Sequence, residues 1–211
     1  MILLILEDII LYDTKGEPAA IYKKVTFDEA VTYLQGEYTH TQDGWIAYFN
    51  SLHDGRVMPS LPLYYAVIER LQETEHPAAS GLLRFLQKEW LCTSTKINYK
   101  QKIIIHGFGV ESYEFKCTIP FDSGLMDEVK GSKRWRSVLQ ALFMPKELDA
   151  AIETLQNFGG TSSCVITPSE FWRKQMPERG IQIGAPVCLL IDAALHSGVG
   201  CSYSYGVRLE R

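Results

Sequence analysis

In Ile191-Asp192-Ala193-Ala194-Leu195-His196-Ser197-Gly198-Val199-Gly200-Cys201, a carboxylate, an imidazole and a thiol fall within one short stretch. A cysteine nucleophile requires a base to take its proton and a third group to orient that base, and Cys201, His196 and Asp192 supply those three types in kind. Closeness along the chain does not put side chains within hydrogen-bond reach, and no nucleophile elbow or other signature surrounds Cys201. The plain alternative is a structural cysteine beside a loop histidine. His106, directly before Gly107-Phe108-Gly109 at the expected end of a strand, could join His196 as an acid–base pair. The ordinary use of a histidine there is a hydrogen bond within the framework.

Other chemistries find less support. His40 and His53 with Asp43 and Asp54 are ligand types, but HxxxH, HExxH and CxxC spacings are missing, so neither a metal nor a cofactor is expected. Gly107-Phe108-Gly109 and Gly198-Val199-Gly200 match neither GxGxxG nor GxxxxGK[ST] and read as turns. Lys130, Lys133, Arg134 and Arg136 around Trp135 form a basic aromatic patch that could hold a nucleic-acid backbone and stack on a base; it equally describes a solvated helix face. Tyr33, Tyr38, Trp45, Tyr48, Tyr64 and Tyr65 enrich one part of the chain in aromatics, the types that dominate interface hot spots, although core packing is their commoner use.

The elements that would position these groups centre on residues 92–121. Thr93, Thr95, Ile97 and Tyr99 alternate with polar residues, and Tyr113, Phe115, Cys117 and Ile119 alternate with Ser112, Glu114, Lys116 and Thr118, the period of half-buried strands. With the apolar run Ile103-Ile104-Ile105 between them, these predict a hairpin or meander with one wet face. Before it, residues 1–12 predict a first strand, with Ile21-Tyr22 on a return strand. Thr26-Phe27-Asp28-Glu29 fits a capping box with Val25 and Ala30 as staple, predicting a helix to Gly36. Further helices are predicted after Asp43, from Ser60 to His76-Pro77, and from Ala78 to Leu91 with Trp90 on its apolar stripe. Beyond the meander, helices follow Ser132 and run through Leu148 to Phe158. Strands are predicted at residues 163–167, 187–192 and in the tail, where Tyr203, Tyr205, Val207 and Leu209 alternate with polar residues and the last strand is expected to join the central sheet. The fold class is therefore α+β: a largely antiparallel sheet, a helical block over about 26–91 and two further helices packed against it. A single domain over 1–211 is expected, with 26–91 as a possible lobe on a sheet core of 92–121 and 161–211.

The 211 residues are 46% hydrophobic, enough for a real core. A net charge of −4 gives no general reason for a polyanionic partner, although residues 92–211 are the more basic part. Glu7 and Asp8 interrupt the apolar start, which reads as a strand and not a targeting segment, and no stretch approaches the ~18 apolar residues of a membrane span. Five cysteines, at 92, 117, 164, 188 and 201, suit reduced thiols in a cytoplasmic, bacterial-type protein. The leading expectation is a non-enzymatic binding protein with a protein partner or self-association. A hydrolase or transferase using Cys201 with His196 or His106, and nucleic-acid binding through the 130–136 patch, are the alternatives.

Overall fold

The computed structural model describes residues 4–28, 32–33, 41–86, 90–98, 101, 103–109, 114–118, 133–159, 164–166, 178–184, 188–190 and 203–211. It is an α+β fold of antiparallel sheets and helices. The strands are β1 (Leu4–Tyr12), β2 (Pro18–Phe27), β3 (Thr32–Tyr33), β4 (Trp90–Asn98), β5 (Ile103–His106), β6 (Phe115–Thr118), β7 (Cys164–Ile166), β8 (Glu178–Gly184), β9 (Cys188–Leu190), β10 (Tyr203–Ser204) and β11 (Val207–Glu210). The helices are α1 (Gln42–Ser51), α2 (Leu61–Glu73), α3 (Pro77–Leu86), α4 (Lys133–Phe143) and α5 (Leu148–Gly159).

The first sheet has the order β1-β2-β11, all antiparallel. Asp13 closes its first turn by accepting from the amides of Lys15 and Glu17. Both long strands turn over halfway. Leu6 faces inward, then Ile9 and Leu11; on β2, Ala20 and Tyr22 face inward, then Val25 and Phe27. The change of phase falls at Asp8, whose φ is +54°, a left-handed conformation that aspartate tolerates better than most side chains. Because both strands turn together, the pairing continues from Glu7↔Lys24 to Ile9↔Tyr22 without a slip.

The second sheet runs β3-β10-β4-β5-β6, with β8 on the other side of β4. The meander read at 92–121 is here: β4 pairs with β5 through Lys96↔Ile105, and β5 with β6 through Ile103↔Thr118. Strand β7 lies parallel to β9 with Cys164 opposite Cys188. Helix α2 lies between these layers, its Tyr64, Tyr65, Ile68 and Leu71 buried, and it packs on β1, α3 and α4. Tyr64 sits 6.2 Å from Phe27 and 6.4 Å from Tyr205 ring to ring, joining the helix to the first sheet, while Tyr65 meets Phe143 of α4 at 5.6 Å.

Several expectations change. Thr26 caps no helix: with Val25 and Phe27 it ends β2, paired to β1 on one side and β11 on the other. Two ladders of main-chain bonds outweigh one local cap signal, and Thr32–Tyr33 also form a strand, so the first helix among the described residues begins at Gln42. Trp90 and Leu91 belong to β4, not to α3. The tail divides, with β10 joining β4 in the central sheet while β11 returns to β2. Strand β8, in Glu-Arg-Gly-Ile-Gln-Ile-Gly, was not read from the sequence; its two glycines weakened the pattern.

Candidate functional site

The centre of β4 gathers the buried polar chemistry of the described residues. Thr93, Ser94 and Thr95 are each 0% exposed, so the strand expected to wet one face is enclosed on both. Burial obliges each polar atom to find a partner. The main chain of Ser94 pairs outside any strand, its N–H donating to Pro59 O and its carbonyl accepting from Phe108 N, both at 2.8 Å. On the opposite edge the β4–β8 register shifts between Cys92 and Lys96. There the Gln42 amide, on the first turn of α1, donates to Thr93 O and Thr95 O at 2.7 Å each, supplying what the interrupted ladder does not. Helix α1 is held at this point by its own cap, Thr41 Oγ1 accepting from Gly44 N.

His106, at the end of β5, is fully buried beside this strip, with Nε2 2.9 Å from Ala141 O and Nδ1 3.0 Å from Thr95 Oγ1. A carbonyl only accepts, so Nε2 carries the proton and Nδ1 of the neutral ring accepts from the Thr95 hydroxyl. Thr95 Oγ1 in turn accepts from Leu61 N at 2.8 Å, one of the first-turn amides of α2 that lack a partner inside their own helix. The bonds thus run one way, from Leu61 N–H to Thr95, from Thr95 to His106, and from His106 to Ala141, tying α2, β4, β5 and α4 together. Burial drives the imidazole pKa down to about 4; the bond to Ala141 acts the other way and is the smaller influence. At neutral pH the ring is an uncharged junction, and as an acid–base group it would have to be uncovered first.

Of the remaining sequence candidates, Cys201, His196, Asp192 and Lys130 lie outside the described residues, as do His40 and Tyr38. Lys133, Arg134, Trp135 and Arg136 form the first turn of α4. Arg136 Nη1 donates to Asp149 Oδ1 of α5 at 2.6 Å, and this bond holds the guanidinium pKa up and the carboxyl pKa down. His53, Asp43 and Asp54 are exposed, and among the described residues no three His, Cys, Asp or Glu side chains converge as a metal site. Asp54 belongs instead to an ionic cluster that the sequence did not disclose. Arg56 bonds Asp28 Oδ2 at 2.9 Å and Asp54 Oδ2 at 2.7 Å, and Arg208 Nε donates to Asp54 O at 3.1 Å. The cluster fastens the loop after α1 to the end of β2 and to β11, beside the bridge Val57↔Val207.

Of the aromatics singled out, Trp45, Tyr64 and Tyr65 serve the core, Tyr48 is half-buried, and Tyr38 and the side chain of Tyr33 lie outside what the structure describes. Trp45, Tyr64 and Tyr65 are 0–1% exposed, and Trp45 stacks on Phe49 at 5.8 Å with Tyr48 edge-on. The exposed large apolar side chains among the described residues are Ile5 at 46% and Ile21 at 52%. Both lie on the outer face of the β1-β2-β11 sheet: Ile21 opposes Ile10, and Ile5 neighbours the inward Leu6. No helix among the described residues is long and apolar enough to cross a membrane. Compared with models of protein families, with curated proteins and with solved structures, the chain matches none.

Proposed function

We propose that this chain acts by binding, as a non-enzymatic cytoplasmic protein, and that it meets a second copy of itself through the outer face of the β1-β2-β11 sheet. The observation that carries the reading is the placement of Ile5 and Ile21 on that one face, while Trp45, Tyr64 and Tyr65 of the helical part are buried. The face carries both signs of charge, with Glu7 opposite Lys24 and Lys24 Nζ 3.6 Å from Glu210 Oε1, which suits the self-complementarity a two-fold interface demands. Its size sets the strength. Strands of nine and ten residues make a face about 30 Å long, and three strands about 10–15 Å wide. That is roughly half of the ~800 Å² per partner of a standard interface, so association is weak and concentration-dependent.

Sedimentation velocity across a wide concentration range tests it. The weight-average mass of the wild-type chain should rise above 23.9 kDa with concentration, and Ile21→Glu and Ile5→Glu should hold it there. A wild-type chain that stays at monomer mass throughout, with amide shifts in β1 and β2 independent of concentration, overturns the reading.

A further inference from the structure

Two hydroxyls with spare bonding capacity line one small, partly open hollow. Ser94 Oγ is buried and has no hydrogen-bond partner among the described residues. Ser60, 6% exposed, stands at the N-cap of α2, where serine ordinarily bonds the amide of the second or third helical residue. Here it makes no such bond. Pro62 removes the second of these amides, and the amide of the first helical residue, Leu61, goes to Thr95 Oγ1. The hollow is about 10 Å³ and is bounded by Ser94, Ser60, Met58, Gly107, Tyr22 and Leu63 among others. That is about the space of one water-sized sphere and is too small for an organic ligand.

We propose that this hollow is a binding site for a single ordered water molecule, bridging the hydroxyls of Ser94 and Ser60. An unpaired hydroxyl in the interior is costly, and a bound water is the one ligand that fits both the volume and the bonding need of a donor–acceptor hydroxyl. The bridge would join the N-cap of α2 to the middle of β4, beside the direct bond from Leu61 N to Thr95, so that the start of the helix is held to the strand twice. Strand β4, enclosed on both faces, would then have every polar side chain of its central triplet satisfied.

The test combines direct detection with a sign. Water-to-amide cross-relaxation by NMR should show a long-lived water near the amides of Ser94 and Gly107, and Ser94→Ala should abolish it. Ser94→Ala and Ser60→Ala should each lower the urea midpoint, and the double variant should lower it by less than the two separate shifts together, because both remove partners of one molecule. A dry site predicts the reverse for Ser94→Ala: deleting an unpaired hydroxyl raises the midpoint. A raised midpoint, strictly additive shifts, or no long-lived water at these amides overturns the proposal.

Discussion

Acidification tests the assignment of His106 as a neutral, buried junction. The unfolded imidazole titrates near 6.5 and the folded one near about 4, so between those values the unfolded chain binds more protons than the folded chain. Stability from this group is therefore complete above pH 6.5, falls as pH drops through that value, and stops falling below about 4, where both states are protonated. At about 1.4 kcal/mol per pH unit, the loss comes to about 3 kcal/mol, a large share of the ~5–15 kcal/mol that holds a domain folded. Carboxylates also titrate in this window, so the measurement is a difference. Urea unfolding of the wild type and of His106→Gln, which keeps a donor and an acceptor but does not titrate, would be followed from pH 7 to pH 4. The wild-type advantage should shrink by about 3 kcal/mol over that range. The Cε1 proton of His106 should show no titration near 6.5, and its ring should be the Nε2–H tautomer. A wild-type advantage that is flat or grows on acidification would refute the argument, since it would mean that the ring titrates unperturbed or is held as the cation.

Further substitutions probe the rest of the framework. Gln42→Ala strips the side-chain donor from Thr93 O and Thr95 O where the β4–β8 ladder shifts; a cost of about 2 kcal/mol in urea melts is expected, with faster amide exchange in residues 92–96. Unchanged stability would show that water replaces the amide without loss. Gly206→Ala places a methyl group against Asp28 Oδ2, 2.9 Å from Arg56 Cδ and 3.0 Å from Phe49 Cε1. It should cost about 1–3 kcal/mol, and Arg56→Ala should lessen that cost in a double-mutant cycle, because the clash and the ion pair share atoms.

The fold was legible where one pattern dominates. The stripe Leu61, Tyr64, Tyr65, Ile68 and Leu71 marks α2, and Trp45 with Phe49 marks α1, because a helix that buries one face must repeat apolar residues at its own period. It was illegible where two local signals compete. Thr26-Phe27-Asp28-Glu29 satisfies a capping box and also continues the alternation of β2; the partner that decides is Val207 of β11, opposite Phe27 and remote in sequence. Asp8 likewise reads as an interruption, and only its φ of +54° reveals that it turns the strand over so that Leu6 and Ile9 can both face inward.

The polar strip of β4 exposes a deeper limit. Alternation in Thr93-Ser94-Thr95-Lys96-Ile97 states that successive side chains point in two directions, and says nothing of what waits in either. Water was the economical guess for the polar direction. In the folded chain that direction is closed over Ser94, while Leu61 N and His106 Nδ1 meet Thr95 on the other side and Gln42 Nε2 meets the Thr93 carbonyl along the strand's edge, contacts that span 34, 11 and 51 residues. Serine and threonine suit either outcome, since a hydroxyl can face solvent or complete a buried network at similar sequence cost. The residue that distinguishes the two is His106: an imidazole at a strand end beside a run of isoleucines can be paid for only by partners on two sides, and those partners, Thr95 and Ala141, define the interior that the alternation left open.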